Sequence, residues 1–281
     1  MRMLSQGLVA PTQRTIPDFD LRRPLTADEA VAAAAAGGSV YAQGCTDLFA
    51  QFREGLRCTT LVSLDKVTGL RDIGYDGGTL RIGAGAIHHD GARHPAVVTA
   101  LPGLAAAWRQ IAIHRIRQRA TIGGNIMARR PRYEMSIMCD SLGAELSFLS
   151  QNGPCRLSTA DVWDSRVPPG GLLLSVDIPG LPGAWFGYER SLRPLLTVAA
   201  TVRAGSAGGG MVRVSVGSEM QRHFTVEAPL GTDPPDIAAA LPGEIGDAVA
   251  GVRYRRHAAG VLLGRLLNRR ASEHASEEES R

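Results

Sequence analysis

Apolar and polar positions along this chain follow two regimes, and the change between them divides it. In the first regime, apolar runs of strand length alternate with stretches of helical character. Thr26-Ala-Asp-Glu29 reads as a capping box ahead of an alanine-rich helix over 30–36, which Gly37-Gly38 ends. Ser39–Ala42 then reads as a strand, 47–55 as a helix and 59–64 as a buried strand. Gly77-Gly78 predicts a hairpin turn joining 72–75 to 79–83, and 102–112 has a helical pattern. A second hairpin is predicted around Asn152-Gly153, between 144–150 and 155–157.

After the Pro/Gly cluster at 167–171 the apolar runs come consecutively, at 172–178, 184–190, 197–203 and 212–217. The run Gly205-Ser-Ala-Gly-Gly-Gly210 reads as a flexible hairpin between the last two. A polar stretch, a short helix at 236–241 and a long helix at 254–268 follow. The Ser/Glu-rich tail 271–281 is expected to be disordered. Alternation first and consecutive strands later predict an α/β part followed by an α+β part. The expected boundaries are 1–168 (two subdomains, split near 65), 169–270, and the tail.

Bulk properties narrow the function classes. A chain of 281 residues, 44% of them hydrophobic, can bury two cores. No apolar run approaches the roughly 18 residues that cross a bilayer, and 1–16 lacks the apolar centre of a secretory signal. Cys45, Cys58, Cys139 and Cys155 are scattered with no C-x-x-C pair. That spacing argues against metal or iron–sulfur ligation by this chain, and for reduced thiols in the cytoplasm. The net charge is +4, and Lys66 is the only lysine among 31 Lys and Arg residues. Nucleic-acid binding is disfavoured, because the arginines are interspersed with acids and aromatics make up only 5%. Arginine suits bidentate pairing with carboxylates on a partner protein.

The chain shows no Ser-His-Asp spacing, nucleophile elbow or H-E-x-x-H. His88, His89 and Asp90 are adjacent and read as packing residues rather than a metal cluster. His257 is expected at the surface, and Asp140 and Glu145 are expected to be solvated. With few protein nucleophiles, a bound cofactor is the economical carrier of the reaction. Two segments suit one. Ala42-Gln-Gly-Cys-Thr-Asp-Leu48 follows an apolar run, as does Thr121-Ile-Gly-Gly-Asn125. Each is expected to turn with positive φ and present backbone N–H groups to a phosphate. Together they suit the two phosphates of a dinucleotide.

The wording of these loops resembles the FAD-binding medium subunit of the molybdenum hydroxylases, the xanthine dehydrogenase and carbon monoxide dehydrogenase family. That family has A-G-G-x-[ST]-[DE]-L, then T-I-G-G-N, then an acidic residue, which is Glu134 here. Further segments match in order. Residues 65–71 resemble the stretch after the first subdomain, and Arg81-Ile-Gly-Ala84 with His88 resembles R-I-G-A-x-x-x-H. Leu174-Ser-Val-Asp-Ile-Pro179 resembles the strand that opens the last domain, and 254–263 resembles the closing Y-R-R-H-L-A-x-x-L-L helix. The likeness spans about 15–270. Four departures stand out. Gln43 replaces a family glycine, Glu134 the usual Asp, and Met127-Ala-Arg-Arg-Pro-Arg-Tyr133 a run of small residues. The segments before Thr197 and Tyr254 are short.

The resemblance implies an α+β protein: a PCMH/VAO-type FAD-binding domain of two α/β subdomains, then a smaller domain of antiparallel sheet plus helices. It implies FAD held by Ala42, Gln43, Gly44, Cys45, Thr46 and Asp47 from one loop and Thr121, Ile122, Gly123, Gly124 and Asn125 from the other. Glu134 would bond a cofactor hydroxyl, with Tyr188 and Arg190 beside the flavin and phosphates. Its partners would be a [2Fe-2S] small subunit and a molybdopterin large subunit, with electrons leaving from FAD to an external acceptor. Two alternatives stay open on the sequence: a stand-alone flavoenzyme for a small organic substrate, and a scaffold that has lost flavin.

Overall fold

The computed structural model describes residues 16–191, 195–205 and 209–279. The expected absence of a signal in 1–16 therefore falls almost wholly outside the described residues. The chain opens with a parallel sheet of β1 (Asp20–Arg22), β2 (Ser39–Ala42) and β3 (Thr60–Ser63), in the order β1-β3-β2. Parallel neighbours need crossovers, and the helices Ala27–Ala33 and Leu48–Arg53 supply them. The capping box is half formed. Thr26 Oγ1 accepts from Glu29 N at 3.2 Å, but Glu29 Oε2 accepts from Leu25 N rather than Thr26 N.

A five-stranded antiparallel sheet follows, built from β4 (Ile73–Asp76), β5 (Thr79–Gly83), β6 (Glu145–Ser150), β7 (Gly153–Leu157) and β8 (Leu172–Ile178). Its order is β4-β5-β8-β6-β7. Gly77 and Gly78 have φ of +53° and +78°, the double positive turn that a tight hairpin requires. Between β5 and β6 the chain makes a run of short helices that cover one face. Leu80, Ile82, Trp108, Ile122, Met138, Phe148 and Val176 form the core beneath them.

The expected boundary at 168 needs correction. β8 was read as the opening strand of the last domain, but it pairs with β5 (Leu80↔Ile178) and β6 (Leu146↔Val176) in the middle of this sheet. A central strand is covered on both faces, and the near-continuous apolar run of β8 is what that position demands. The Pro/Gly cluster before it is a connection within the unit, pinned where Tyr41 Oη donates to Gly170 O at 2.7 Å.

The last unit is an antiparallel sheet of β9 (Trp185–Arg190), β10 (Thr197–Ala204), β11 (Gly210–Gly217) and β12 (Phe224–Pro229), ordered β12-β11-β10-β9. β12 was read only as a polar stretch. It is an edge strand, half exposed, so its pattern carries few apolar positions. Half of the predicted 205–210 hairpin, at 206–208, lies outside the described residues. So does 192–194, within the shortened segment before Thr197. The helices Pro234–Ala239 and Val252–Glu279 cover the sheet, with Leu262, Leu263 and Leu266 packed on Val198, Val202 and Val212. Arg255 is wholly buried in this layer and bonds Leu195 O and the Asp247 carboxylate.

The long helix corrects a second expectation. It continues to Glu279, through most of the tail expected to be disordered. Beyond Arg270 the sequence holds Ala, Ser and Glu with no Gly or Pro to stop a helix. Glu273 Oε2 also accepts from Trp185 Nε1 at 2.7 Å, which ties the extension to β9. Two helices dock this unit on the first. A Cβ at Gly103, in Pro102–Trp108, would lie 2.0 Å from Phe186 O of β9. Ser141 Oγ, at the end of Met135–Ser141, lies 3.0 Å from Thr201 Oγ1.

Candidate functional site

A cleft of about 680 Å³ runs from the C-terminal end of the parallel sheet, past the five-stranded sheet, to the edge of β9. Crevices outside the carboxyl ends of parallel strands are where α/β folds place ligands. The first predicted loop, Gln43 to Asp47, lines it directly after β2. Its conformation differs from expectation. The left-handed residue is Cys45 (φ +57°), not Gly44. Gly44 is needed for closeness, because a Cβ there would sit 2.2 Å from Arg119 O. The two loops therefore touch backbone to backbone. Among the described residues, the N–H groups of Gly44, Cys45 and Thr46 form no hydrogen bond. They make a row of free donors at the cleft wall, the arrangement suited to an anion.

The second loop is a different device from the one expected. Thr121 to Asn125 is not a positive-φ nest but the start of the helix Ile122–Met127. Its donors are already committed. Ile122 N donates to Ala86 O, Gly123 N to Ala84 O at 2.8 Å, Gly124 N to Thr121 Oγ1 at 3.1 Å, and Asn125 N to Thr121 O. Gly123 allows that contact, since a Cβ there would lie 2.7 Å from Ala84 O. At Gly124 a Cβ would approach only the Thr121 hydroxyl, so this residue leaves the cleft wall bare. Ile122 is fully buried and does not line the cleft. Asn125 Oδ1 accepts from Met135 N at 3.2 Å and so braces the next helix.

The arginine-rich segment after this helix folds back onto the first loop. Asp47 accepts from Arg130 Nε at 3.2 Å, Tyr133 Oη at 2.6 Å and Gln51 Nε2 at 2.5 Å. Burial raises its carboxyl pKa, but these donors and the Arg130 charge outweigh burial and hold it below the usual carboxylate range. Asp47 is thus a clamp between the loops, with its carboxylate committed to protein donors. Arg130 also pairs with Glu54 at 2.6 Å, and Arg129 donates to Ser165. In that segment Arg132 lines the cleft, its guanidinium over the Tyr133 ring.

Glu134 lies at the far side of the cleft, 9% exposed. Its carboxylate accepts from Tyr188 Oη and, at 3.4 Å, from Arg190 Nη1. Tyr188 and Arg190 are two positions apart on β9 and share a face. Burial, reinforced by the Glu134 charge, pushes the Tyr188 phenol far above its usual pKa. The carboxylate expected to meet a cofactor hydroxyl is already engaged by protein. Arg190 lines the cleft; Tyr188 supports from behind.

Two residues carry more than the sequence suggested. His88, read as a packing residue, is completely buried against Trp108, whose Nε1 donates to His88 Nδ1 at 2.8 Å, and it also lines the cleft. Asp140, expected to be solvated, is 7% exposed. It accepts from Arg213 at 3.1 Å and Thr225 at 2.6 Å, and pairs with His223 at 3.1 Å. Burial raises its pKa, yet these partners overcome that and hold it well below the carboxylate range. The signal available was position: every residue from Met135 to Ser141 is buried, so a carboxylate among them needed partners. Glu145 is exposed and pairs with Arg156, and His257 is exposed as expected.

Comparison with known proteins places this geometry. The family described as FAD binding domain in molybdopterin dehydrogenase matches residues 17–181. The carbon monoxide dehydrogenase medium chain of Afipia carboxidovorans is 28% identical over 239 residues, 75% of this chain and 83% of the relative. The medium chain of the same name from Hydrogenophaga pseudoflava is 25% identical over 90% of this chain and 96% of its own length. Among solved structures, quinoline 2-oxidoreductase from Pseudomonas putida 86 shares the fold with a TM-score of 0.78, covering 92% of this chain and 98% of that one at 22% identity.

Proposed function

The chain belongs to the family of FAD-binding domains in molybdopterin dehydrogenases, and from that premise we propose that it is the flavin-bearing subunit of a heteromeric oxidoreductase. The observation that carries the site assignment is the row of N–H groups at Gly44, Cys45 and Thr46, free among the described residues, at the C-terminal end of β2 and on the wall of the cleft of about 680 Å³. The residues fit the cofactor. Free donors suit phosphate oxygens, and Leu64, Leu70, Ile111, Ile113 and Leu173 give the same cleft apolar walls for a flat ring system.

Gln43, Gly44, Cys45 and Thr46 would hold the pyrophosphate and ribose, with Ala42 delivering the loop and Asp47 clamping it. Thr121, Gly123, Gly124 and Asn125 would form the wall along which the cofactor lies, with Ile122 anchoring that wall in the core. Glu134, Tyr188 and Arg190 would close the far side, Arg190 presenting its charge to the cofactor. When bound, FAD supplies the two-electron and one-electron chemistry that no side chain here can provide. The protein's part is to bind it, orient it and limit water.

In this reading a [2Fe-2S] small subunit and a molybdopterin large subunit deliver the electrons, and an external acceptor removes them. The compartment is the cytoplasm, consistent with four free cysteines. No helix among the described residues is long and apolar enough to cross a membrane. Coexpression with the neighbouring genes is the test. The chain is expected to elute with an iron–sulfur protein and a molybdoprotein and to carry one oxidised-flavin spectrum per chain. A colourless chain that FAD does not reconstitute would overturn the reading.

A further inference from the structure

Among the described residues, two cleft-lining side chains, Gln43 and His88, bury a nitrogen donor without a partner, and His88 is the one whose ring the fold holds in a single tautomer. His88 opens the helical turn His88–Gly91 and is completely buried. Its backbone N–H donates to Ala120 O at 2.9 Å, and Ile87 bridges to Thr121, so the residue is held at the entry to the second loop. An indole N–H can only donate, so the Nδ1 that accepts it from Trp108 must carry a lone pair. The proton of the neutral ring is therefore on Nε2. Burial, and after it the Arg117 charge, push the His88 pKa down to about 4, so the ring stays neutral at physiological pH. Nε2 is buried with no partner among the described residues, on a side chain that lines the cleft. Native folds seldom leave a buried donor in that state.

We propose that His88 Nε2–H donates a hydrogen bond to an acceptor oxygen or ring nitrogen of the flavin cofactor, and that Trp108 is the positioning residue that fixes the required tautomer. The proposal rests on the flavin reading above. It competes with one other occupant. Arg117 Nε is also buried without a partner among the described residues, and an ordered water accepting from His88 Nε2–H would satisfy that donor equally.

A fluorescence titration of the purified full chain with FAD separates the two. His88→Phe is expected to weaken FAD binding at least tenfold. Trp108→Phe is expected to weaken it less, because the ring can then take either tautomer. His88→Phe also strands the Trp108 N–H, so its fold is checked by far-UV circular dichroism. A second measurement needs no variant. With 15N-labelled histidine, saturating FAD should move the His88 Nε2–H proton downfield and slow its exchange with water. Unchanged affinity in folded His88→Phe, or a resonance indifferent to FAD, overturns the assignment and leaves water as the occupant. A wild-type chain that takes up no FAD overturns the flavin reading and this assignment together, so the two failures are distinct.

Discussion

The hydroxyl of Tyr188 donates to the carboxylate of Glu134, a bond that joins the helix after the second glycine loop to the C-terminal sheet. The two residues are 54 positions apart, and both are nearly buried. The far wall of the cleft is therefore a joint between two units, and its alignment depends on this contact and on Arg190 beside it.

Breaking that joint should show first in stability. Tyr188→Phe leaves the Glu134 carboxylate with only the long bond from Arg190 at 3.4 Å. A buried acceptor stripped of its main donor costs about 1–3 kcal/mol. Glu134→Gln keeps an acceptor for Tyr188 and should cost less, whereas Glu134→Ala leaves the phenol hydroxyl without its carboxylate acceptor. Urea unfolding and FAD titration on the same samples check this. The expected order of stability is wild type, Glu134→Gln, then Tyr188→Phe and Glu134→Ala. If Glu134→Ala kept full stability but lost two decades of FAD affinity, Glu134 would be a direct cofactor ligand after all.

Gly44→Ala tests the contact between the loops. The added Cβ would meet Arg119 O at 2.2 Å and Arg119 C at 2.9 Å, both backbone atoms that cannot rotate away. The loops must separate, at the cost of about 1–3 kcal/mol typical of overpacking, and the free N–H row moves with them. A lowered melting temperature and lost FAD retention are expected together. Gly37→Ala, where nothing lies within 4 Å, is the silent control. A flavin-replete Gly44→Ala chain of wild-type stability would show that this approach is not needed.

These tests also mark what the sequence could and could not disclose. Spacing alone located the hairpins at Gly77-Gly78 and Asn152-Gly153 and most strands, because period and turn residues are local signals. It misassigned the reason for the glycines. Gly44 and Gly123 are required by partners at Arg119 and Ala84, and such long-range approach leaves no local trace. β8 looked like the start of a domain because an apolar run does not say which strands flank it. Asp140 looked solvated because its partners Arg213, His223 and Thr225 come from strands and loops far along the chain.

His88 predicts a specific pH dependence. Its pKa falls from 6.5 to about 4 on folding. Between those values the unfolded chain binds a proton that the folded chain does not, so stability must fall as pH drops through that window. Above about 6.5 both states are neutral and the term vanishes. The shift corresponds to about 3–4 kcal/mol in all. Melting temperature followed between pH 7 and 4 should decline, and His88→Phe should flatten the decline. An unchanged slope in the variant would assign it to other groups.

Asp140→Asn probes the second joint, at the other end of the helix Met135–Ser141 from Glu134. Asparagine keeps one acceptor for Thr225 but removes the charge facing Arg213 and His223. Removing one partner of a buried pair costs about 3–5 kcal/mol. The lower end is expected here, because Arg213 is about a third exposed and keeps Glu227 at 2.5 Å. The sign with pH is opposite in origin to that of His88. A carboxylate whose folded pKa is depressed stabilises fully above its ordinary range, and that stabilisation is lost as pH falls through the folded value. Asp140 and His88 therefore act in separate windows, and Asp140→Asn should shift the acid limb below pH 4 while leaving the limb above it unchanged. The cofactor supplies the second readout. Asp140 is not among the residues that line the cleft, so FAD affinity in the folded variant should equal that of wild type. A variant that loses flavin before it loses stability would show instead that the C-terminal sheet, through this helix, sets the geometry of the cleft.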